Sequence, residues 1–590
     1  MYKTVYLTEK DSQVQALAPV LGCKHTRAWT PAYNEDKTIA LVPLQGHVMR
    51  LYNPEEYDEA YKSWEDQTTL CFPDKFLKKP VERTINMYKT AVQHLKDAEE
   101  IVIATDFDNE GATLAMEVIQ AAGCEDKVSY MLHMGSMNEE ALREALETKS
   151  PIPFREMALA GEARAIMDWA EGMSYSRALT INLAKKRTVL NFGGVKTPII
   201  NMVVERDIQF ESFGSIKYWE LSGRAKAHGK EFDIKITRIV DGKKDSKLDK
   251  EIIADELKSK ILENPKYITS LIESKVQKEN PKKLYTQTML QTDSSRKFNL
   301  QPINTLEIAQ KAYIEHKIST YPRTEIDAIH EKEYKDVPVI LGNLKKIMHT
   351  EIIEGILSQP IMKRPTVFDS KKVTSHGAII PTLSKFDKFN SLTDLEKKVF
   401  TLIAERYIEN FLPAYEYQAI SGEAELFDDY ILTFSENIPL RPGFKILGNK
   451  DILETIKNYV RILPEIKKGD EIEILSLSKT EGETKPKPRF TNDTLLMAME
   501  NIANLYPEDK IVKEMLGDGG IGTGATRAVI LNQLFEPDKN GGEPWLILKG
   551  KQIISTEKAR KFIKIMPKDL VSPIKRAQLQ KQLQLIERGE

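Results

Sequence analysis

Cysteine is nearly absent from this chain: Cys23, Cys71 and Cys124 are the only three in 590 residues, and no two form a CxxC pair. That argues against a disulfide framework or a cysteine-ligated zinc ribbon, and it fits a reducing compartment such as the cytoplasm. Long apolar runs are also missing. The opening MYKTVYLTEK has no apolar stretch of signal-peptide length, and nowhere do 18 apolar residues follow one another. The expectation is a soluble cytoplasmic protein with no membrane partner. Neither sign of charge is in excess, with 85 Lys and Arg against 87 Asp and Glu and a net charge of −2. No global basic field gathers nucleic acid, although local patches can still supply phosphate contacts. Internal repeats and low-complexity segments are absent too. What is present is ordinary globular composition at a length too great for one core, so two to four domains are expected.

The first 150 residues alternate strands and helices. TVYLT, IALVPL and EIVIAT read as strands. DSQVQALAPVLG after the first has helical spacing, with Asp11 as its N-cap and Gly22 as its stop. The helical pattern after EIVIAT opens at Gly111. Such alternation predicts a parallel sheet covered on both faces, with chemistry at the carboxyl ends of its strands. Residues 154–187 read as helix carrying Arg164, Arg177, Lys185, Lys186 and Arg187; 216–280 and 414–480 read as β-rich; 284–317 and the chain from 491 onward read as helical. A chain that leaves a domain and returns to it gives domains discontinuous in sequence.

Four stretches carry residues suited to chemistry. In ATDFDNEG, Asp106, Asp108 and Glu110 crowd together after a strand. A D-x-D-x-E loop points alternate side chains the same way, and a hard divalent cation such as Mg²⁺ relieves the repulsion; the alternative is a solvated acidic loop. Glu9 and Lys10 end another strand and could meet them. In HKISTYPRTEI, Pro322 keeps Tyr321 extended or in a turn, and Arg323 lies two residues on. A tyrosine hydroxyl can attack phosphorus when positive charge or a base assists it, and a guanidinium matches a phosphodiester; the alternative is a packed aromatic. His376 in TSHGAIIPT is either structural or catalytic. GDGGIGTGATRA is a Gly/Thr loop ending at Arg527, without the lysine of a P-loop, so an ATPase reading has no support.

Taken together and in this order, these residues resemble the type IA DNA topoisomerases, most closely the topoisomerase III branch. The likeness runs along YLTEKDSQ, GHVMRLYNPEEYDEAYKSW, ATDFDNEG, ARAIMDWAEGMSYSRALT, GGVKTP, LYTQTMLQTDSSRKF, TLEIAQKAYIEHKISTYPRTE, SHGAIIPT, KPKPRFTNDTLLMAME and GIGTGATRA, nearly the whole chain. It implies a multidomain α/β, α and β architecture: a Toprim domain at 1–152 within a four-domain torus. The others are a helical DNA-groove domain at 153–215 plus 481–590, a β-rich arch at 216–280 plus 406–480, and a tyrosine-bearing domain at 281–405. It implies Tyr321 as the nucleophile that links to a 5′ phosphate, and Glu9 and Lys10 as the proton-transfer and stabilising pair. Arg323 and His376 stand at the phosphate. Asp106, Asp108 and Glu110, with Glu9, are the Mg²⁺ ligands. His47, Trp64, Arg164, Arg177, Gly193, Gly194, Val195, Lys196, Gln291, Arg296, Arg323, Thr523 and Arg527 fall in segments that line the single-strand groove.

The implied reaction is Mg²⁺-dependent, ATP-independent cleavage, strand passage and religation of single-stranded or underwound DNA, relaxing or decatenating it, by a monomer. The sequence departs from the pattern at Asn109, Ala112, Gly194, Lys196, Gly377, Ile380 and Gly524, where Arg, Glu, Arg, Gln, Glu, Arg and Pro are usual. It also ends at QLIERGE, without the zinc-ribbon or basic tail of many relatives. These departures fit a divergent, mobile-element-borne enzyme that relies on a helicase or mobile-element partner or on strongly single-stranded DNA. They also leave open a weakened protein that binds single-stranded DNA as an accessory factor. A Toprim primase or nuclease shares the acidic motif but leaves residues 281–590 unexplained.

Overall fold

The computed structural model describes residues 2–65, 70–149, 153–183, 189–373, 376–427, 429–449, 451–463, 465–517, 519–537, 542–587 and 589. Lys185, Lys186 and Arg187 lie outside the described residues. Strand Tyr2–Thr8 is the centre of a five-stranded sheet. It pairs in parallel with Ile39–Pro43 on one side and Ala98–Ile103 on the other, and the latter pairs in parallel with Val128–Met131. The apolar runs predicted the first three of these strands, though not Val128–Met131, because a sheet covered on both faces needs apolar side chains on both. One face carries Val5, Leu7, Val42, Ile101 and Ile103, under helix Asn109–Ala122. The other carries Tyr6, Leu41, Val102 and Ala104 against helix Asp11–Val20. The two-residue strand Ala32–Tyr33 adds an antiparallel edge that was too short to show as a pattern in sequence.

Two local expectations need correction. Asp11 is the first helical residue rather than the N-cap, which is Lys10. The Gln13 side chain reaches back to accept from the backbone N–H groups of Glu9 (2.8 Å) and Lys10 (3.0 Å), so the cap comes from inside the helix. Asp11 instead accepts from the Trp29 backbone N–H and the Gln15 amide. The second helix begins at Asn109, not Gly111, with Asp108 as its N-cap accepting from the Gly111 N–H at 2.8 Å. Gly111 is needed for space: a Cβ there would collide with the Asp106 carbonyl oxygen.

Beyond the sheet, helices Phe154–Leu183 and Lys196–Glu211 join others late in the chain, including Asn492–Glu500, Gly524–Phe535, Glu557–Ile565 and Pro573–Glu587. Ile199, Val203, Leu495, Met499, Leu531, Leu534, Ile553 and Ala577 share one core. The hairpin Leu546–Lys549 with Gln552–Ser555 interrupts the helical run expected there. A seven-stranded sheet interleaves strands from 217–279 with strands from 415–483, and an extra pairing of the end strand Lys217–Ala227 with Lys230–Val240 closes it into a ring that leaves only Lys243–Asp245 outside. Phe232, Ile234, Leu257, Leu432, Phe434 and Ile474 fill it. Helices between Gln287 and Glu409 enclose another core around Leu341, Phe368, Phe400 and Tyr407. No helix among the described residues is long and apolar enough to cross a membrane.

Candidate active site

Tyr321 is 3% exposed and packs into the apolar cluster on the face of the N-terminal sheet that also holds Val14, Leu17, Met134 and Met137. Its segment is extended, as Pro322 requires: Thr320 bonds to Ile380 through backbone, and the Tyr321 N–H donates to the Gly135 carbonyl at 3.2 Å. The phenol donates to Asp108 at 2.9 Å and to Asp106 at 3.4 Å. Burial, followed by the charges of Asp108 and Asp106, holds the Tyr321 pKa well above 10. In this closed arrangement the tyrosine is a hydrogen-bond donor.

The carboxyl ends of two parallel strands bring Glu9, Lys10 and Asp106 together. The Lys10 ammonium lies 3.2 Å from Glu9 and 2.5 Å from Asp106, and the Gln13 amide donates to the other Asp106 oxygen at 2.8 Å. Burial works against the charged lysine, but the Asp106 and Glu9 carboxylates outweigh it and raise its pKa. Glu9 is pushed up to about 7 by burial and by the Asp106 charge, with Lys10 opposing. Asp108 is likewise raised, by burial and then by Asp106.

Glu110 does not share the direction of the two aspartates. The helix has already begun, which ends the alternation of an extended chain, and Glu110 accepts from the His47 ring at 2.6 Å. His47 also contacts Glu117 at 3.3 Å, and these two carboxylates raise its pKa to about 10. Among the described residues no three acidic, histidine or cysteine side chains converge as metal ligands. The donor chemistry of Glu9, Asp106 and Asp108 nevertheless fits a hard cation. Burial and then the Asp106 charge raise the pKa values of both Glu9 and Asp108, and the Lys10 ammonium stands between Glu9 and Asp106.

Arg323 points its guanidinium at the Gln310 side-chain oxygen, 2.7 Å from Nη2 and 2.9 Å from Nε. His376, 3% exposed, lies against Tyr321 with ring centroids 4.0 Å apart, and burial pushes its pKa well down, so it is neutral. Three further residues of this site escaped the sequence reading. Gln13 had a signal, the spacing of a capping residue three positions after Lys10. Tyr313, edge-on to Tyr321 and donating to the Met134 carbonyl at 2.9 Å, had none. Nor had His133, whose ring lies 5.3 Å from His376 and whose pKa burial lowers to about 4.

The remaining predicted residues fall in several settings. Trp64 is 41% exposed, and Arg177 lies over its ring at 5.1 Å while donating to the Tyr61 carbonyl at 2.7 Å. Arg177 is thereby buried. Arg164 is half-buried, and its charge acts on Glu110. Gly193, Gly194 and Val195 lead into helix Lys196–Glu211; a side chain at Gly194 would strike the Arg576 guanidinium. Lys196 lies 5.3 Å from the Trp545 ring, with a pKa lowered by burial and by Lys558. Gln291 is buried, and Arg296 is exposed beside Asp493 at 3.4 Å. Thr523 caps helix Gly524–Phe535, and Arg527 on that helix is buried.

Comparison with known proteins places this geometry. Residues 4–133 match the Toprim domain and residues 153–590 the DNA topoisomerase family. DNA topoisomerase 3 of Bacillus licheniformis is 30% identical over 598 residues, and that of Staphylococcus haemolyticus 29% over 597. Each alignment takes in all of this chain and 79% of the relative. The full-length topoisomerase I structure from Thermotoga maritima superposes with a TM-score of 0.67 at 18% identity, covering 99% of this chain and 87% of that one. The chain belongs to the DNA topoisomerase family, with a Toprim domain at its N-terminus and the type IA fold.

Proposed function

We propose that this DNA topoisomerase cuts one strand of single-stranded or underwound DNA through Tyr321, passes DNA through the break and reseals it. The observation that carries this reading is the meeting of the Tyr321 hydroxyl with Asp108 at 2.9 Å, beside Lys10, Glu9 and Asp106, although tyrosine and acids come from distant parts of the chain. The phenol oxygen attacks phosphorus, its proton passing to a neighbouring carboxylate. The P–O3′ bond breaks, a 5′-phosphotyrosine forms, and Glu9 gives its proton to the leaving 3′ oxygen. A carboxylic acid with a pKa of about 7 suits that donor role near neutral pH. Lys10 and Arg323 offset charge building on the phosphate, and His376 holds the tyrosine ring. Asp106 and Asp108, with Glu9 nearby, would hold Mg²⁺, which when bound would supply further charge neutralisation at the phosphodiester. Resealing runs the same steps backward, so no ATP is consumed.

The division into four domains at 1–152, 153–215 plus 481–590, 216–280 plus 406–480, and 281–405 belongs to the same proposal; the buried cores follow it in outline, but Tyr407 and Leu447 pack into the core of the 281–405 region and Tyr321 into that of the N-terminal sheet. One chain supplies both halves of the site, so a monomer suffices. The three buried free cysteines fit action in the cytoplasm.

The test is a denaturant-quenched reaction of 3′-labelled single-stranded DNA with Mg²⁺. The wild type is expected to give a protein-linked labelled fragment and Tyr321→Phe none. DNA binding by both proteins without an adduct from either removes the cleavage reading and leaves a single-strand-binding factor.

A further inference from the structure

We propose that the Glu325 carboxylate is a built-in substitute for a backbone phosphate of single-stranded DNA, holding an anion position at the start of helix Gly524–Phe535 until DNA displaces it. The inference rests on the DNA-cleaving role proposed above and deepens it. Glu325 Oε1 accepts from the Gly524 backbone N–H at 2.7 Å and lies 3.3 Å from the Arg527 guanidinium. The first turn of a helix leaves N–H groups unpaired and concentrates positive potential, a setting that takes carboxylate and phosphate alike. The remaining Arg527 bonds go to neutral acceptors: the carbonyls of Ile521 (3.2 Å) and Gly522 (3.0 Å) and the Thr288 hydroxyl (3.1 Å). Glu500, the other carboxylate nearby, bonds to Thr288; burial raises its pKa, with the Arg527 charge opposing.

A second observation points to a larger ligand than a carboxylate. Gln287 is 2% exposed, and among the described residues neither its amide oxygen nor its amide nitrogen has a partner. Its Oε1 is 3.5 Å from where a Cβ on Gly524 would sit, which puts the amide at the same position as Glu325. Gln291, 1% exposed and one helical turn on, is likewise without partners for its amide. Orphaned buried amides are costly and call for an explanation. A phosphodiester has two anionic oxygens like the carboxylate, but it is tetrahedral and bulkier, so it can reach the Gln287 amide N–H that Glu325 leaves idle once the amide turns its nitrogen inward. Glu325 itself is 46% exposed and has open solvent to retreat into.

Position 524 strengthens the case. The resemblance places proline there, which has no N–H to offer; glycine supplies the very donor that Glu325 takes. A Cβ at 524 would make only ordinary contacts, so space does not demand glycine. Glu325 lies four residues beyond Tyr321. A phosphate taking its place exchanges a tether between the tyrosine segment and the Gly/Thr loop for a grip on the DNA.

The experiment measures binding of a fluorescent oligothymidylate by anisotropy, in EDTA, for wild type, Glu325→Gln, Gly524→Pro and the double variant. Proline is well suited to the first helical position, and Thr523 before it is already extended (φ −99°, ψ 161°), so Gly524→Pro is expected to fold. Glu325→Gln is expected to bind about threefold to tenfold tighter, because DNA no longer competes with a resident anion at a charge-neutralised contact. That gain is expected to vanish in the double variant, which lacks the N–H. Wild type and Glu325→Gln binding equally well, or a gain that survives Gly524→Pro, overturns the proposal and leaves the tyrosine chemistry standing. Failure of the wild type to bind at all overturns both.

Discussion

The Tyr321 hydroxyl donates to Asp108 at 2.9 Å across 213 residues of sequence. That bond closes the site on itself: the residue proposed to attack phosphorus occupies a carboxylate suited to metal, and Lys10 occupies Asp106. Opening the site to DNA and Mg²⁺ therefore replaces these contacts rather than adding to them, and each carboxylate reports on a different part of the exchange.

The acids are not equivalent. Asp108→Asn and Asp106→Asn are expected to raise the Mg²⁺ concentration for half-maximal adduct formation by about tenfold or more. Glu110→Gln is expected to raise it far less, because Glu110 is held at 2.6 Å by a charged His47. The measurement is adduct yield against Mg²⁺. A shift for Glu110→Gln as large as that for Asp108→Asn shows that Glu110 leaves His47 for the metal.

The closed site also sets a pH dependence. Glu9 has a folded pKa of about 7 against an ordinary 4.5, because burial and Asp106 penalise its ionised form. Between those values the folded chain holds a proton that the unfolded chain has lost. The protonated acid's stabilising contribution is thus present at low pH and lost as pH rises through about 7. Asp108, also raised, acts in the same sense, as does Glu333 elsewhere. Melting temperatures of wild type and Glu9→Gln, compared in EDTA from about pH 5 to 8, isolate the Glu9 part as their difference. Wild type is expected to lose melting temperature relative to Glu9→Gln, a neutral mimic of the protonated acid, as pH rises toward 7; a constant difference rules Glu9 out.

What sequence could show follows from how each feature is encoded. The strands ending at Thr8 and Ile103 were legible because apolar β-branched runs respond to burial on both faces, and their ends carry the acids. The direction of Glu110 was not, since it turns on whether the helix starts at Asn109 or Gly111, and a cap formed by Asp108 decides that. The family resemblance marked Arg177 and Arg527 as groove residues, but their burial depends on the Tyr61 carbonyl and on Thr288, partners that sequence spacing does not reveal. Gln287 and Glu325 carried no local pattern at all.

Asp207 ties the early and late parts of the helical block together. It is wholly buried, accepts from the Ser555 N–H at 2.7 Å and hydroxyl at 2.6 Å, and faces Arg489 at 2.5 Å. Asp207→Asn keeps the shape but leaves Arg489 only the half-exposed Glu211, 2.7 Å away, as counter-charge. A loss of about 1–3 kcal/mol is expected. Hydrogen exchange is expected to quicken in the hairpin Leu546–Ser555; exchange unchanged there shows that the pair adds nothing.

Arg177 separates two roles that its charge alone cannot. It is 3% exposed, donates to the Tyr61 carbonyl at 2.7 Å, and lies 5.5 Å from the Tyr61 ring and 5.1 Å from the Trp64 ring. A guanidinium can stack and donate in one plane, whereas an ammonium cannot, so Arg177→Lys is not expected to rescue what Arg177→Ala loses. The stacking is worth about 1–2 kcal/mol, and its loss is expected to change Trp64 fluorescence and speed proteolysis at 61–65. If Arg177 only holds this segment, the slope of log affinity for single-stranded DNA against log salt stays at its wild-type value in both variants. A slope reduced by about 0.7 in Arg177→Ala, with lysine restoring it, identifies a phosphate contact instead.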